Sequence, residues 1–121
     1  MSSHYSEKLL DHFRNPRHAG ELPPPARTVE ITNPACGDIL RLSALIEDGR
    51  VAQVAFLARG CTASIAAGSA LTTLMLDRPL KDLRTIDAAA IEAALGGLAN
   101  ESKHAAALSV DALRALLRLL E

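Results

Sequence analysis

The first apolar residues of the chain recur at the spacing of one helical face, and they are Tyr5, Leu9, Leu10 and Phe13. Ser3 is a candidate cap before them, and Asn15-Pro16 interrupts the pattern. A serine side chain can accept a hydrogen bond from the free N–H groups of a first turn, whereas proline cannot continue a helix. The pattern therefore predicts a short amphipathic helix that ends before Pro16.

From Thr28 onward the pattern alternates with a period of two, which is typical of strands. Val29 and Ile31 form the first alternating set. The second and third sets are Leu40, Leu42, Ala44 and Ile46, then Val54, Phe56 and Ala58. Asp48-Gly49 lies between them and is a residue pair that a type I′ hairpin turn prefers. We expect three antiparallel strands, the second and third joined by a tight hairpin.

The remainder of the chain has the patterns of helices. Residues 61–76 are rich in small and apolar side chains, as in a buried helix. Asp87 is a candidate N-cap for a helix over 88–95, which Gly96-Gly97 would end. The last segment carries an apolar stripe at about the helical repeat, formed by Leu108, Ala112, Leu116 and Leu120. This order predicts a single α+β domain over residues 1–121, with helices packed largely on one face of a small three-stranded antiparallel sheet.

Composition and charge narrow the classes of partner. The chain has 121 residues, of which 49% are hydrophobic, so it can bury a core. The formal net charge is −1 and only 2% of the residues are aromatic, which argues against a nucleic acid or a membrane surface as partner. No secretory signal pattern and no stretch of about 18 apolar residues is present, so we expect a cytoplasmic protein.

The first segment with candidate chemistry is Asn33-Pro-Ala-Cys-Gly-Asp38, between the first and second predicted strands. Cys36 and Asp38 flank Gly37, which lets a loop bend tightly, so a thiolate and a carboxylate can converge on one cation. The alternative is an ordinary turn, in which Asp38 bonds nearby backbone N–H groups and the thiol is inert. Both interpretations remain open from this segment alone.

The second segment is Arg59-Gly-Cys-Thr-Ala-Ser64, where the third strand meets the long helix. Cys61 lies at or just before the helix N-terminus, where the helix dipole favours a thiolate, and Arg59 is close. A reactive or metal-binding thiol fits this position. A small buried residue at a tight corner fits it as well, because free cysteines are commonly buried.

Histidine provides the third candidate. His104 lies near the start of the last helix, one turn before Leu108 and hence on the inward stripe. A lone histidine there is either a satisfied or partly exposed side chain or a metal ligand. His4, His12 and His18 show no ligand spacing, and we treat them as surface residues. No nucleophile triad, phosphate loop or metalloprotease signature is present, so we do not expect an enzyme.

Four stretches in chain order resemble one family: Tyr5–Arg17 with its Asn-Pro-Arg ending, Asn33–Asp38, the Gly-Cys start of 60–67, and Asp111–Arg114. Together they resemble the iron–sulfur cluster assembly scaffolds of the NifU/IscU/SufU type, the NifU N-terminal-like domain. The resemblance implies an α+β fold. It also implies a transient [2Fe–2S] cluster, built from iron and from sulfur of a cysteine desulfurase, then handed to Fe–S acceptor proteins.

The resemblance also implies a ligand set, with one departure. Family members place three cysteines and an aspartate around the metal, and Cys36, Asp38 and Cys61 match three of these four. The remaining cysteine usually belongs to a His-Cys or Lys-Cys pair at the start of the last helix, where this chain has His104 followed by Ala105. The implied site is therefore Cys36, Asp38, Cys61 and His104, a set that also suits a Zn or Fe ion.

Three functions follow from this departure. The first is a scaffold or carrier with a modified ligand set, since imidazole can replace a thiolate at a cluster. The second is a divergent zinc- or iron-binding paralogue that regulates or partners the assembly machinery, and the third is a dithiol redox module or a remnant without metal. The segment that IscU-type members offer to a dedicated Hsp70 chaperone is absent, so that partner is not expected. Both a monomer and a homodimer fit the sequence.

Overall fold

Three antiparallel strands and four α-helices form the domain in this computed structural model, which describes residues 5–35 and 37–120. The strands are β1 Arg27–Thr32, β2 Ile39–Glu47 and β3 Arg50–Arg59, in the sheet order β1-β2-β3. The helices are α1 Glu7–Arg14, α2 Thr62–Met75, α3 Ala88–Ala94 and α4 Lys103–Leu120. Short 3₁₀ helices at Leu80–Thr85 and Asn100–Ser102 precede α3 and α4, and the hydrophobic pattern did not predict them. The α+β prediction is confirmed.

Alternation along the strands produces one buried face of the sheet. Leu40, Leu42 and Ala44 of β2 are at most 1% exposed and belong to the same core as α2 and α4. The predicted hairpin is present: Asp48 and Gly49 both have positive φ, 53° and 73°, as a type I′ turn requires. A bulge follows the turn, because Leu45 pairs with Gln53 while the next residue, Ile46, pairs with Val51.

Helix α2 is the central element of the core, and the small residues of its sequence let neighbouring elements pack closely against it. It packs against α1, α3, α4 and β3. Gly68 faces Phe56 of β3 so closely that a Cβ atom there would lie 2.6 Å from the ring. Helix and strand can therefore approach only because this position has no side chain.

Two irregular segments cover the outer edge of β3. Phe56 donates its N–H to the carbonyl of His18 and accepts from the N–H of Gly20, at 2.9 and 2.8 Å. At the other end of the strand, Val51 pairs in the same way with Asp77 and Arg78. The main-chain groups of β3 at these two residues are thus satisfied without another strand.

Helix α1 begins later than the sequence pattern suggested. Its N-cap is Ser6, whose Oγ accepts from the N–H of Leu9 at 3.0 Å, so the prediction of Ser3 as the cap is wrong; Ser3 itself lies outside the described residues. The periodic apolar positions could not distinguish two serines one turn apart. The same Ser6 hydroxyl donates to the carbonyl of Leu95, which ties the start of α1 to the end of α3.

Polar contacts attach the end of α1 to α2. Ser69 is fully buried, and its Oγ accepts from the N–H of Arg17 at 2.9 Å and lies 2.7 Å from Nδ1 of His12. The expectation that His12 is a surface residue is therefore wrong, because its ring is half-buried against Ser69; His4 lies outside the described residues. Since the Ser69 oxygen accepts from Arg17, its own proton is free to point at a neutral His12. Burial, aided by the charge of Arg17, lowers the pKa of His12.

No helix among residues 5–35 and 37–120 is both long enough and apolar enough to cross a bilayer.

Acidification is expected to weaken the folded state through His12. The folded protein holds the pKa of His12 below its ordinary 6.5, so the unfolded chain takes up a proton first as the pH falls through that value. The stability that this difference contributes is complete above the ordinary pKa and is lost progressively below it. Urea unfolding between about pH 7.5 and about pH 5.5 measures the slope, which should be shallower in His12→Gln than in the native protein.

Lys8→Gln on the same helix is the matched control, because it changes an exposed side chain of α1 and leaves the His12 ring in place. An equally steep slope in His12→Gln and in the control would show that another group causes the acid sensitivity.

Candidate metal centre

Antiparallel pairing between β2 and β3 creates the candidate site. Ile39, the first residue of β2, pairs with Arg59, the last residue of β3. The residue before Ile39 is Asp38 and the residue after Arg59 is Gly60, so these two continue the ladder side by side. Cys61 follows as the N-cap of α2. Asp38, Gly60 and Cys61, which flank the paired ends of β2 and β3, are thereby brought to one tip of the sheet.

His104 completes the site from the other side. Helix α4 begins at Lys103, so His104 belongs to its first turn. His104 begins the inward stripe of the helix, and its side chain is 35% exposed and faces Cys61 and Asp38. A first-turn residue lies at the end of the packed helix, and for that reason the stripe does not bury it completely.

Three donor atoms form a nearly equilateral triangle. The Sγ atom of Cys61 lies 3.7 Å from Oδ2 of Asp38 and 3.7 Å from Nε2 of His104. The third edge, from His104 Nε2 to Asp38 Oδ2, is also 3.7 Å. In a tetrahedral site with metal–sulfur bonds of about 2.3 Å and metal–nitrogen or metal–oxygen bonds of about 2.0–2.1 Å, neighbouring ligand atoms are about 3.3–3.6 Å apart. A shift of a few tenths of an ångström would let one ion touch all three.

The three side chains differ in exposure. Asp38 is 6% exposed and forms the floor of the site, whereas Cys61 is exposed and His104 is partly so. The sulfur also lies at the N-terminus of α2, where free N–H groups and the helix dipole favour negative charge. A buried carboxylate below and a reachable thiol above give a site that an incoming ion can enter from solvent.

The carboxylate of Asp38 is held in place by its immediate neighbours. Ser64 Oγ donates to Oδ2 at 2.6 Å, from the first turn of α2. On the other side, Gly60 packs against the carboxylate: a Cβ atom there would lie 2.5 Å from both Cγ and Oδ1. The backbone of Gly60 also has φ of +157°, a conformation that L side chains rarely adopt. Gly60 is therefore required for two reasons, backbone conformation and contact with Asp38.

The structure brings together three of the four residues predicted as the site. Asp38, Cys61 and His104 meet, and Cys36 lies outside the described residues. Ala105, which stands where the resemblance places a third thiol, is 1% exposed and packs in the core. Within the described part of the chain, the donor set is thus one thiol, one imidazole and one carboxylate.

Sequence reasoning assigned no role to Ser64, although it ends one of the motifs. The available signal is a hydroxyl three residues after Cys61, in the first turn of an otherwise apolar helix. That spacing alone fits a serine bonded to its own helix equally well. Its true partner, Asp38, is 26 residues away in sequence, and only the pairing of β2 with β3 reveals the contact.

A family model, the NifU-like N terminal domain, matches residues 4–118. Among curated proteins, the iron–sulfur cluster assembly scaffold protein IscU of Azotobacter vinelandii is 36% identical over 118 residues, covering 94% of this chain and 91% of that protein. IscU 1 of Archaeoglobus fulgidus, also an iron–sulfur cluster assembly scaffold protein, is 34% identical over 110 residues, covering 91% of this chain and 72% of the relative.

Solved structures share the fold. A NifU-like protein (N-terminal) from Brucella abortus superposes with a TM-score of 0.75 at 17% identity, covering 93% of this chain and 91% of the other. FiSufU from Fervidobacterium islandicum superposes with a TM-score of 0.77 at 18% identity, covering 96% and 99%. At these identities the likeness supports the arrangement of strands and helices.

Substituting Gly60 tests how tightly the site is built. Gly60→Ala is expected to lower the free energy of unfolding by about 1–3 kcal/mol through backbone strain and by about as much again through contact with Asp38. Gly97→Ala is the matched control, because Gly97 has φ of +100° but nothing within 4 Å of the added Cβ. Urea unfolding of both variants should show the larger loss at Gly60. Equal losses would mean that the carboxylate moves aside freely.

Proposed function

Because the chain belongs to the NifU-like N-terminal domain family, we propose that it is an iron–sulfur cluster assembly scaffold. It holds a cluster, or the iron from which a cluster is built, and passes it to acceptor proteins. A scaffold of this kind binds and releases its cargo and turns over no substrate. The relatives named as IscU scaffolds, which align over nearly the whole chain, support this proposal.

The observation that carries the proposal is the triangle of donor atoms on Asp38, Cys61 and His104. Thiolate and imidazole are ligands that iron and zinc accept, and a carboxylate is a harder and more exchangeable one. We propose Cys36 as the fourth ligand, since it lies two residues before Asp38 in the sequence. Two thiolates, one imidazole and one carboxylate would then surround the cargo, which fits a transient [2Fe–2S] cluster or a single Zn or Fe ion.

The proposed partners follow from the chemistry of the cargo. Building a cluster requires a source of sulfur, which a cysteine desulfurase supplies, and acceptor apoproteins that remove the product. Cys61 is the sole thiol among residues 5–35 and 37–120, and it is exposed, so a desulfurase can reach it.

A second candidate function is favoured by one observation. Ala105 places a methyl group, buried in the core, where the family resemblance expects a third thiol. The remaining set of sulfur, nitrogen and oxygen donors suits Zn²⁺ in tetrahedral geometry. The chain would then be a zinc- or iron-binding partner of the assembly machinery that builds no cluster.

Anaerobic reconstitution with ferrous iron and sulfide distinguishes these functions. For a scaffold, visible absorption and analysis of iron and sulfide should show a bound cluster that transfers to an apo-ferredoxin. Binding of Zn²⁺ or Fe²⁺ without cluster formation would favour the second function. Binding of neither would contradict both.

Removal of the imidazole is expected to weaken metal retention. Structural zinc sites bind with about 10–16 kcal/mol in total, so loss of one ligand of four should cost about 100-fold or more in Zn²⁺ affinity. His104→Ala is compared with Lys103→Ala, its exposed neighbour, whose side chain pairs with Glu92 and does not face the site. Competition with a chelator measures the affinities. Equal affinity in the two variants would show that His104 is not a ligand.

Introducing a thiol next to His104 is expected to raise the yield or lifetime of the cluster. Ala105→Cys restores the third cysteine implied by the family. Ala106→Cys is the matched control, since Ala106 is equally buried but points about 100° away around the helix. Reconstitution of both variants, read by visible absorption, should show a gain only for Ala105→Cys. A similar result for both would mean that α4 offers no position for a thiolate ligand.

A further inference from the structure

Ser64 touches two of the three donor side chains of the candidate site. Its side chain is buried, with the residue 3% exposed, in the first turn of α2. Its Oγ lies 2.6 Å from Asp38 Oδ2 and 3.4 Å from Cys61 Sγ. Its hydroxyl contacts both of these side chains, so it can influence ion binding through them.

The direction of the hydrogen bonds follows from the donor inventory. An ionised carboxylate only accepts, so the single proton of Ser64 points at Asp38 Oδ2. This oxygen is the same one that lies 3.7 Å from both Cys61 Sγ and His104 Nε2. The lone pairs of the serine oxygen remain available to the thiol of Cys61. The Ser64 hydroxyl thus holds the buried carboxylate of Asp38 and also contacts the exposed thiol of Cys61.

The neighbours of the Asp38 carboxylate limit its rotation. A carboxylate oxygen has two lone-pair directions, and Ser64 occupies one of those on Oδ2. Gly60 lies against Cγ and Oδ1 from the other side, so the group has little room to rotate. Ser64 and Gly60 together therefore restrict the orientation of the Asp38 carboxylate.

We propose that Ser64 is a positioning residue, which holds Asp38 Oδ2 toward Cys61 and His104 and so toward the ion that these side chains would bind. This inference rests on the proposed function of the site. Hydrogen-bond partners that orient a ligand typically contribute about 10–100-fold to metal affinity.

Zn²⁺ binding to Ser64→Ala tests the proposal. Chelator competition should show about a 10–100-fold loss of affinity relative to the native protein. With Co²⁺ in place of Zn²⁺, the visible d–d bands should change because the carboxylate is no longer fixed, while the thiolate charge-transfer band persists. The matched control is Ser109→Ala in α4: Ser109 is 1% exposed and its Oγ makes no hydrogen bond to the described residues, so affinity should stay native.

A double-mutant cycle shows whether Ser64 acts through Asp38. Ser64→Ala should cost nothing further in an Asp38→Ala background, because the group that it positions is gone. The double variant contains no buried carboxylate that has lost its serine partner. Its affinity can therefore be compared with that of Asp38→Ala even where Ser64→Ala alone does not fold. Ser64→Thr keeps the hydroxyl and should retain most of the affinity.

Two outcomes would overturn the inference: native affinity in Ser64→Ala, or an equal loss with and without Asp38. Either result leaves the proposed function intact, provided that the native protein binds Zn²⁺ or a cluster. Failure of the native protein to bind either one contradicts the proposed function instead.

Discussion

The register between β2 and β3 is the constraint on which the candidate site depends. Pairing of Ile39 with Arg59 sets Asp38 beside Gly60 and places Cys61 at the start of α2. A shift of β3 by one residue against β2 would turn the core-facing side chains of β3 toward the opposite face of the sheet. The same hydrophobic pattern that buries Leu40 and Leu42 therefore fixes the distance between a carboxylate and a thiol 23 residues apart.

The donor atoms of the candidate site differ in their exposure to solvent. A carboxylate away from water is costly unless it is hydrogen-bonded, and Ser64 supplies such a bond to Asp38. Its fixed negative charge attracts a cation into the tip of the sheet. Cys61 and His104 lie nearer to solvent, where an ion can exchange. The arrangement suits temporary binding better than a closed structural zinc site, whose ligands leave no open position.

The features that sequence alone predicts are those with a local physical signal. Alternating residues in the strands, the Asp48-Gly49 turn and the Asp87 cap each depend on neighbours within a few positions, and the structure has them all. The N-cap at Ser6 was missed because three serines, Ser2, Ser3 and Ser6, precede the same helix. The burial of His12 and the role of Ser64 were missed because their partners, Ser69 and Asp38, are distant along the chain and meet only through tertiary packing.

The covering of the outer edge of β3 has a consequence for association between molecules. An uncovered edge strand offers free N–H and C=O groups to any other extended chain, and so invites edge-to-edge aggregation. The contacts of Phe56 with residues 18–20, and of Val51 with residues 77–78, occupy those groups on β3. Neither segment is a strand, so the sheet stops growing on this side without closing into a barrel. The protein can therefore expose the candidate metal centre at the tip of the sheet without offering this edge of the sheet for strand pairing with another molecule.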